Sequence, residues 1–301
     1  MLNQFIKERN LSKSTVRHYT ASVRIYESLN NNSLTELINE AEYEENLKIR
    51  WKNRKIKKRL ISFRSYLYEN KTSSTSNRYL TDIQTIYRHF EIELHSLPTF
   101  NPKQINKPSE IKFKDLPTED NILDACEIAD EITELIILLI VTSGLAKAEI
   151  LNMTVRDFTK AKKSHPPIFY LTRRKTGKEF FTFTTPKISD KISSYIEKHD
   201  LKPEDKLFNI SASCLGKNMQ KINNQLNLGR INNYSRFRCH MLRKYHASNL
   251  LNNTSFTIDE IDALQGRSKS KVHRSYFLND EERLKEKYLM YLNVIDLPHT
   301  Q

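Results

Sequence analysis

Between Ser96 and Asp115 the chain reads SLPTFNPKQINKPSEIKFKD. Three prolines fall in this stretch, no helical period runs through it, and few of its residues are apolar. Proline fixes φ and removes a backbone donor, so neither a helix nor a central strand can continue here. The stretch reads as a linker over 96–115, and it divides the chain. A part of about 95 residues precedes it, and a larger part, 116–301, follows it.

The first part carries helical patterning throughout. Leu11-Ser12-Lys13-Ser14-Thr15 opens a helix running to about Ser28, and Ser33 suits the N-cap of the next. A third helix begins within a basic run and ends near Asn70. A fourth is capped by Ser73 or Ser74 and ends near His89. In the third, Ile56, Leu60, Phe63 and Leu67 recur at i, i+4, i+7 and i+11, which makes one buried stripe.

After the linker, Thr118 suits an N-cap, with Glu119 and Asp120 favouring the positive end of the helix dipole. Helices are expected at about 119–129 and 131–142. The second contains LIILLIV and should lie at the centre of a core. Ile168–Thr172 and Phe180–Thr184 are rich in aromatic and β-branched residues and read as strands. Arg173-Arg174-Lys175-Thr176-Gly177-Lys178 between them reads as a hairpin turn. Helices are then expected at about 188–198, 213–226, 240–252, 257–264, 269–277 and 281–292. The fold class is mainly α with a small β-hairpin: a helical N-terminal bundle followed by an α+β domain.

Composition excludes several functions. Only five glycines occur, and the closest pair, Gly216 and Gly229, is too far apart for any phosphate-cradling glycine loop. Three scattered cysteines, Cys126, Cys214 and Cys239, form no C-x-x-C, which argues against a disulfide frame or a zinc knuckle. The longest greasy stretch, Leu135 to Val141, is far short of a bilayer span, and the N-terminus lacks a signal-peptide apolar region. A cytoplasmic chain without a membrane partner is expected.

Charge points to a partner. The chain has 49 Lys and Arg against 36 Asp and Glu, a formal +13. Both parts are basic, with 17 basic against 11 acidic residues up to residue 95 and 32 against 25 beyond it. A polyanion such as nucleic acid is the physical expectation. The densest run, Lys48 to Arg59, holds eight basic residues in twelve and no acid: Lys48, Arg50, Lys52, Arg54, Lys55, Lys57, Lys58 and Arg59. Projecting from a helix whose other face is buried, they can meet a phosphate backbone. Arg173 and Arg174 of the hairpin turn are further candidate DNA contacts. The bland reading of such a run is a solvated helix face.

His240-Met-Leu-Arg243 places an imidazole and a guanidinium on one helix face, and it is the only H-x-x-R in the chain. Its setting is more informative. Upstream lie TSGLAKAEIL, Thr142 to Leu151, and the hairpin RRKTGK, while LQGRSKSKVHRSY follows, with Tyr276 nine residues after Arg267. In order and spacing these pieces resemble the tyrosine recombinase (phage integrase) family. That family has a first box like T-G-L-R-x-S-E-L, a hairpin lysine, H-x-x-R, then G-[H/W], and a tyrosine nine residues after the His or Trp. The resemblance covers the second part; the first part is similar to the family's core-binding domain in size and character only.

The resemblance implies a chemistry. Tyr276 would attack a DNA phosphodiester and form a covalent 3′-phosphotyrosine, with no metal or other cofactor. Arg243 and Arg267 would hold the non-bridging oxygens, His240 would donate to them or assist proton transfer, and Lys175 would protonate the leaving 5′-alkoxide. Double-stranded DNA would be the partner, with a homotetramer on two sites. The segment ending in Tyr288, Leu289, Tyr291 and Leu292 would dock on a neighbouring protomer, where the bland alternative is packing on its own domain.

Two positions depart from the family. Ala146 stands where the first-box arginine belongs, and Arg267 where His or Trp belongs. Lys147 is adjacent to Ala146 and is the candidate replacement. Two other readings remain open on these residues. One is relaxation of supercoiled DNA by a type IB topoisomerase-like activity. The other is a non-catalytic DNA-binding factor on a degenerate recombinase scaffold.

Overall fold

The computed structural model describes residues 1–100, 110–173, 177–267 and 280–297. The chain divides into two compact units, Met1–Ser109 and Glu110–Gln301, with the boundary inside the proline-containing stretch.

The first unit is built of helices α1 (Leu2–Glu8), α2 (Lys13–Asn30), α3 (Leu34–Asn46), α4 (Lys55–Asn70) and α5 (Ser73–His89), with a 3-10 turn at Trp51–Asn53. Local chemistry sets the starts. Ser12 accepts from the Thr15 amide, and Ser33 forms a reciprocal capping box with Glu36. The α5 cap is Thr72 rather than Ser73 or Ser74, and its side chain makes no capping bond. Short α1 lies ahead of the first expected helix and is held by Phe5, which is fully buried. The expected α4 stripe is real: Ile56, Leu60, Phe63 and Leu67 are at most 2% exposed and join Tyr26, Ile83, Ile86 and Tyr87 in one core.

The second unit is mostly helical around two short antiparallel ribbons. Its elements are α6 (Glu119–Ile128), α7 (Glu131–Ser143), α8 (Lys147–Ile150), α9 (Val155–Ala161), β1 (Ile168–Thr172), β2 (Glu179–Phe183), α10 (Pro186–Lys198), α11 (Ala212–Gln225), β3 (Arg230–Ile231), β4 (Tyr234–Ser235), α12 (Cys239–Asn253), α13 (Ile258–Leu264), α14 (Glu281–Met290) and α15 (Leu292–Ile295). The expected helix at 269–277 lies outside the described residues. Thr118 caps α6 as its sequence indicated. Helix α7 is the centre: every residue from Leu135 to Ser143 is buried, and α6, α10, α11 and α12 pack around it.

β1 and β2 pair with Tyr170 opposite Phe181, and Arg173 N–H donates to Lys178 C=O to close the hairpin. α9 and the β3–β4 ribbon were not evident in the sequence; a seven-residue helix and two-residue strands carry too little periodicity to register. Leu284 and Tyr288 of α14 are fully buried within their own unit, and the Tyr288 hydroxyl donates to Thr142 C=O at 3.0 Å. Among the described residues no helix is long and apolar enough to cross a membrane.

Candidate functional site

The end of α7 starts the site. Its C-cap, Gly144, has φ +65°, a left-handed conformation that glycine adopts without steric cost. A Cβ there would sit 2.5 Å from His246 Nδ1, so no other residue fits without displacing the α12 imidazole. The turn delivers the chain into Ala146 and the one-turn helix α8. There the Glu149 carboxylate reaches back to accept the Ala146 amide at 2.6 Å.

Arg243, on α12, points into this corner and is only 6% exposed. Its Nη1 donates to Gly144 C=O at 2.7 Å, its Nη2 donates to Gln265 C=O, and Glu149 Oε2 lies 3.6 Å from Nη1. Burial, then the neighbouring Arg173, hold its pKa down to about 10. Gln265, just past α13 and fully buried, is the hinge of the arrangement. Its carbonyl accepts from both Arg243 and Arg173, while its side-chain amide donates to Arg243 C=O at 3.0 Å and to His246 Nδ1 at 2.9 Å. His246 is buried and pushed down to about 3 by burial, then by Arg243 and Arg267, so it stays neutral as an acceptor.

His240 lies one α12 turn before Arg243 at an exposed rim. Desolvation against the protein, then Lys244, Arg238, Arg243 and Arg267, push its pKa below the usual imidazole value. A cavity of about 440 Å³ opens here. Lys147, Arg230, Arg238, His240 and Arg243 line it, and none of its described lining residues is acidic. The Lys147 amine has no hydrogen-bond or ion-pair partner among the described residues. Arg267 is tied to Asp262 at 3.2 Å and remains partly exposed. No group of three or more metal-ligating side chains occurs among the described residues.

The structure therefore brings His240, Arg243, Arg267 and Lys147 to one region, with Arg173 turned inward beside Arg243. Tyr276, Lys175 and Arg174 lie outside the described residues. Gln265, His246 and Glu149 were not singled out from sequence. Gln265 and Glu149 stand inside the family-like boxes, but their roles arise from contacts between elements distant in the chain.

In the first unit the basic run divides. Lys48, Arg50, Lys52, Lys55 and Lys58 are exposed and Lys57 is partly so. Arg54 departs from the expectation of a surface contact. It is 7% exposed, donates to Ile49 C=O, and pairs with Glu45 at 2.5 Å, because it stands at the start of α4 facing α3. Lys55 and Arg59 both pair with Glu40.

Helical packing around α7 and an antiparallel hairpin frame a buried arginine beside a rim histidine. Residues 117–283 match the Phage integrase family. That match spans more than half of the chain, which belongs to this family of tyrosine recombinases, whose function is the recombination and integration of DNA. The fold agrees. The Tn1549 transposon integrase in complex with transposon right end DNA superposes with a TM-score of 0.60 at 13% identity, covering 97% of this chain and 98% of that one. XerH site-specific recombinase bound to its difH substrate gives 0.54 at 18% identity, covering 78% and 70%. A lambda integrase tetramer bound to a Holliday junction gives 0.59 at 13% identity, covering 91% and 74%. No curated protein matches the chain in sequence.

Proposed function

We propose that this chain itself cleaves and rejoins double-stranded DNA at specific sites, through Tyr276 and a covalent 3′-phosphotyrosine. The observation that carries the reading is Arg243. A guanidinium held rigid by two carbonyls at the floor of a cationic cavity is prepared for a phosphate whose charge grows during attack. Arg267 supplies a second guanidinium. His240, neutral at rest among four cations, donates to the phosphate or moves a proton. Lys175 serves as the acid for the 5′-oxygen, whose alkoxide is far more basic than a phenolate.

The exposed part of the basic run, Lys48, Arg50, Lys52, Lys55, Lys57 and Lys58, supplies sequence-independent contacts to the DNA backbone from the first unit. Recombination joins two sites, so a homotetramer is the working assembly; the lambda integrase tetramer on a Holliday junction supports this. Residues 116–301 serve as the catalytic domain and residues 1–95 as the DNA-binding bundle, joined by the linker 96–115.

The test is incubation with candidate site DNA carrying a nick that traps the cleaved strand, followed by a denaturing gel. Wild type should form a covalent adduct, and Tyr276→Phe should bind DNA without forming one. An adduct retained by Tyr276→Phe would assign the nucleophile elsewhere. Ala146 favours a second reading, a recombinase-like DNA binder without strand transfer. Tight binding with no adduct from wild type on any cognate site would establish it.

A further inference from the structure

Arg173, just after β1, and Arg243, in the second turn of α12, are distant in the chain, yet the same two groups hold both. The Gln265 carbonyl accepts from Nη2 of each. The Glu149 carboxylate divides between them: Oε1 lies 3.6 Å from Arg173 Nε and Oε2 lies 3.6 Å from Arg243 Nη1. Two fixed guanidiniums thus share one carboxylate, leaving a local excess of positive charge. Arg173 Nε is buried and has no hydrogen-bond partner, and the same holds for Gln265 Oε1 and His246 Nε2 of the same cluster. A second cavity, of about 350 Å³, opens beside Arg173, with Glu149, Asp157, Thr172 and Arg173 in its lining, and Ala146 borders both this cavity and the one that Arg243 and His240 line.

We propose that Arg173 holds a non-bridging oxygen of the attacked phosphate, doing from the hairpin what an arginine at position 146 would do from the first box. The assignment of that phosphate to DNA rests on the strand-transfer reading above. Glu149 accepts the Ala146 amide through Oε2, and its Oε1 is met by the side chain of Arg173, the residue after β1, rather than by one from α8. Lys147, the neighbour in sequence, is the weaker candidate. It lines the same cavity as Arg243 and His240, but nothing among the described residues anchors its amine. An anchored planar guanidinium loses less conformational freedom per contact than a free ammonium, and it can bind two oxygens at once.

Phosphate binding and strand transfer can be read separately on the full chain. Inorganic phosphate is titrated into protein carrying ¹⁵N-arginine, and the Nε–H resonances are followed. The Arg173 resonance should move with phosphate, and Arg173→Ala should weaken binding about tenfold, the equivalent of one charge-assisted contact. Arg173→Lys keeps the charge but loses the fork, so it should fall between, and it carries the test should the alanine variant not fold. Unchanged affinity in both Arg173 variants, or a loss seen in Lys147→Ala and not in Arg173→Ala, would overturn the proposal.

On nicked DNA, Arg173→Ala should slow adduct formation by ~10²-fold. A neutral methylphosphonate at the cleaved position should narrow that gap, since the charge to be held is gone; a gap that stays the same also overturns the proposal. If wild type forms no adduct while phosphate still binds through Arg173, the strand-transfer reading fails and the anion-binding role stands.

Discussion

Glu149→Gln tests the electrostatic frame of the site with almost no change of shape. The amide can still accept the Ala146 N–H, so the start of α8 is kept. What disappears is the charge 3.6 Å from each of two guanidiniums. At an effective dielectric of ~20, each pair is worth roughly 4–5 kcal/mol of Coulomb attraction. Relief of the buried carboxylate's desolvation returns much of this, and removing one partner of a buried pair typically costs about 3–5 kcal/mol net. Arg173 is the more solvated of the two arginines, which favours the low end, about 3 kcal/mol.

For a unit of this size each kcal/mol shifts Tm by about 2–4 °C, so the transition of residues 110–301 should fall by roughly 6–12 °C. Inorganic phosphate should then stabilise Glu149→Gln more than wild type, because it supplies the missing negative charge. Differential scanning calorimetry with and without phosphate gives both numbers. A variant melting within about 2 °C of wild type would show that Glu149 does not offset the two arginines, and the argument from shared charge would fail.

Other expectations follow from the same geometry. Gly144→Ala should destabilise the unit by ~2 kcal/mol or more in urea unfolding, because φ is positive and the new Cβ meets His246; wild-type stability would refute the close approach. His246 takes a proton in the unfolded chain below about pH 6.5 but stays neutral when folded until about pH 3. Its contribution should therefore lower stability by about 1.4 kcal/mol per pH unit on acidification through that window, and His246→Asn should flatten the slope. Arg50, Lys52 and Lys58→Gln should reduce the log–log salt slope of DNA binding by about 0.9 per lost contact, whereas Arg54→Gln should lower stability and leave the slope unchanged. Ala146→Arg should raise adduct formation and partly restore Arg173→Ala; no restoration would mean that positions 146 and 173 do not serve the same oxygen.

Much of the fold was legible because its signals are local. The α4 stripe, the apolar α7, the serine and threonine caps and the aromatic hairpin each need only a few neighbouring residues to be recognised. The functional boxes were legible through their order and spacing, since no single one is specific. What stayed hidden depends on partners far along the chain. Arg54 and Arg59 read as two more charges in a run, but α3 brings Glu45 and Glu40 against them and removes them from the free surface. Arg173 read as an outward hairpin residue; only the approach of Gln265 and Glu149 shows that it turns inward. Gln265 carried no signal, because a glutamine becomes a hinge only when both its carbonyl and its amide find partners.

These contacts also explain why the site tolerates an arrangement that stability alone would not favour. Arg243 is buried beside another cation with a single shared carboxylate, and burial of an incompletely neutralised charge is costly. Two well-packed apolar side chains in the same place would serve folding at least as well. The fold instead spends buried carbonyls, Gly144 and Gln265, on orienting the guanidinium, and it fixes Gln265 through a histidine kept neutral by its own burial. A bound phosphate supplies what this cluster lacks, a negative charge placed where the donors already point. Because the donors are fixed before the anion arrives, little reorganisation remains when charge develops on its oxygens. The same logic makes Ala146 tolerable. On the role proposed for Arg173, the requirement is for a second oriented guanidinium near Glu149, and this residue, just after β1, meets it.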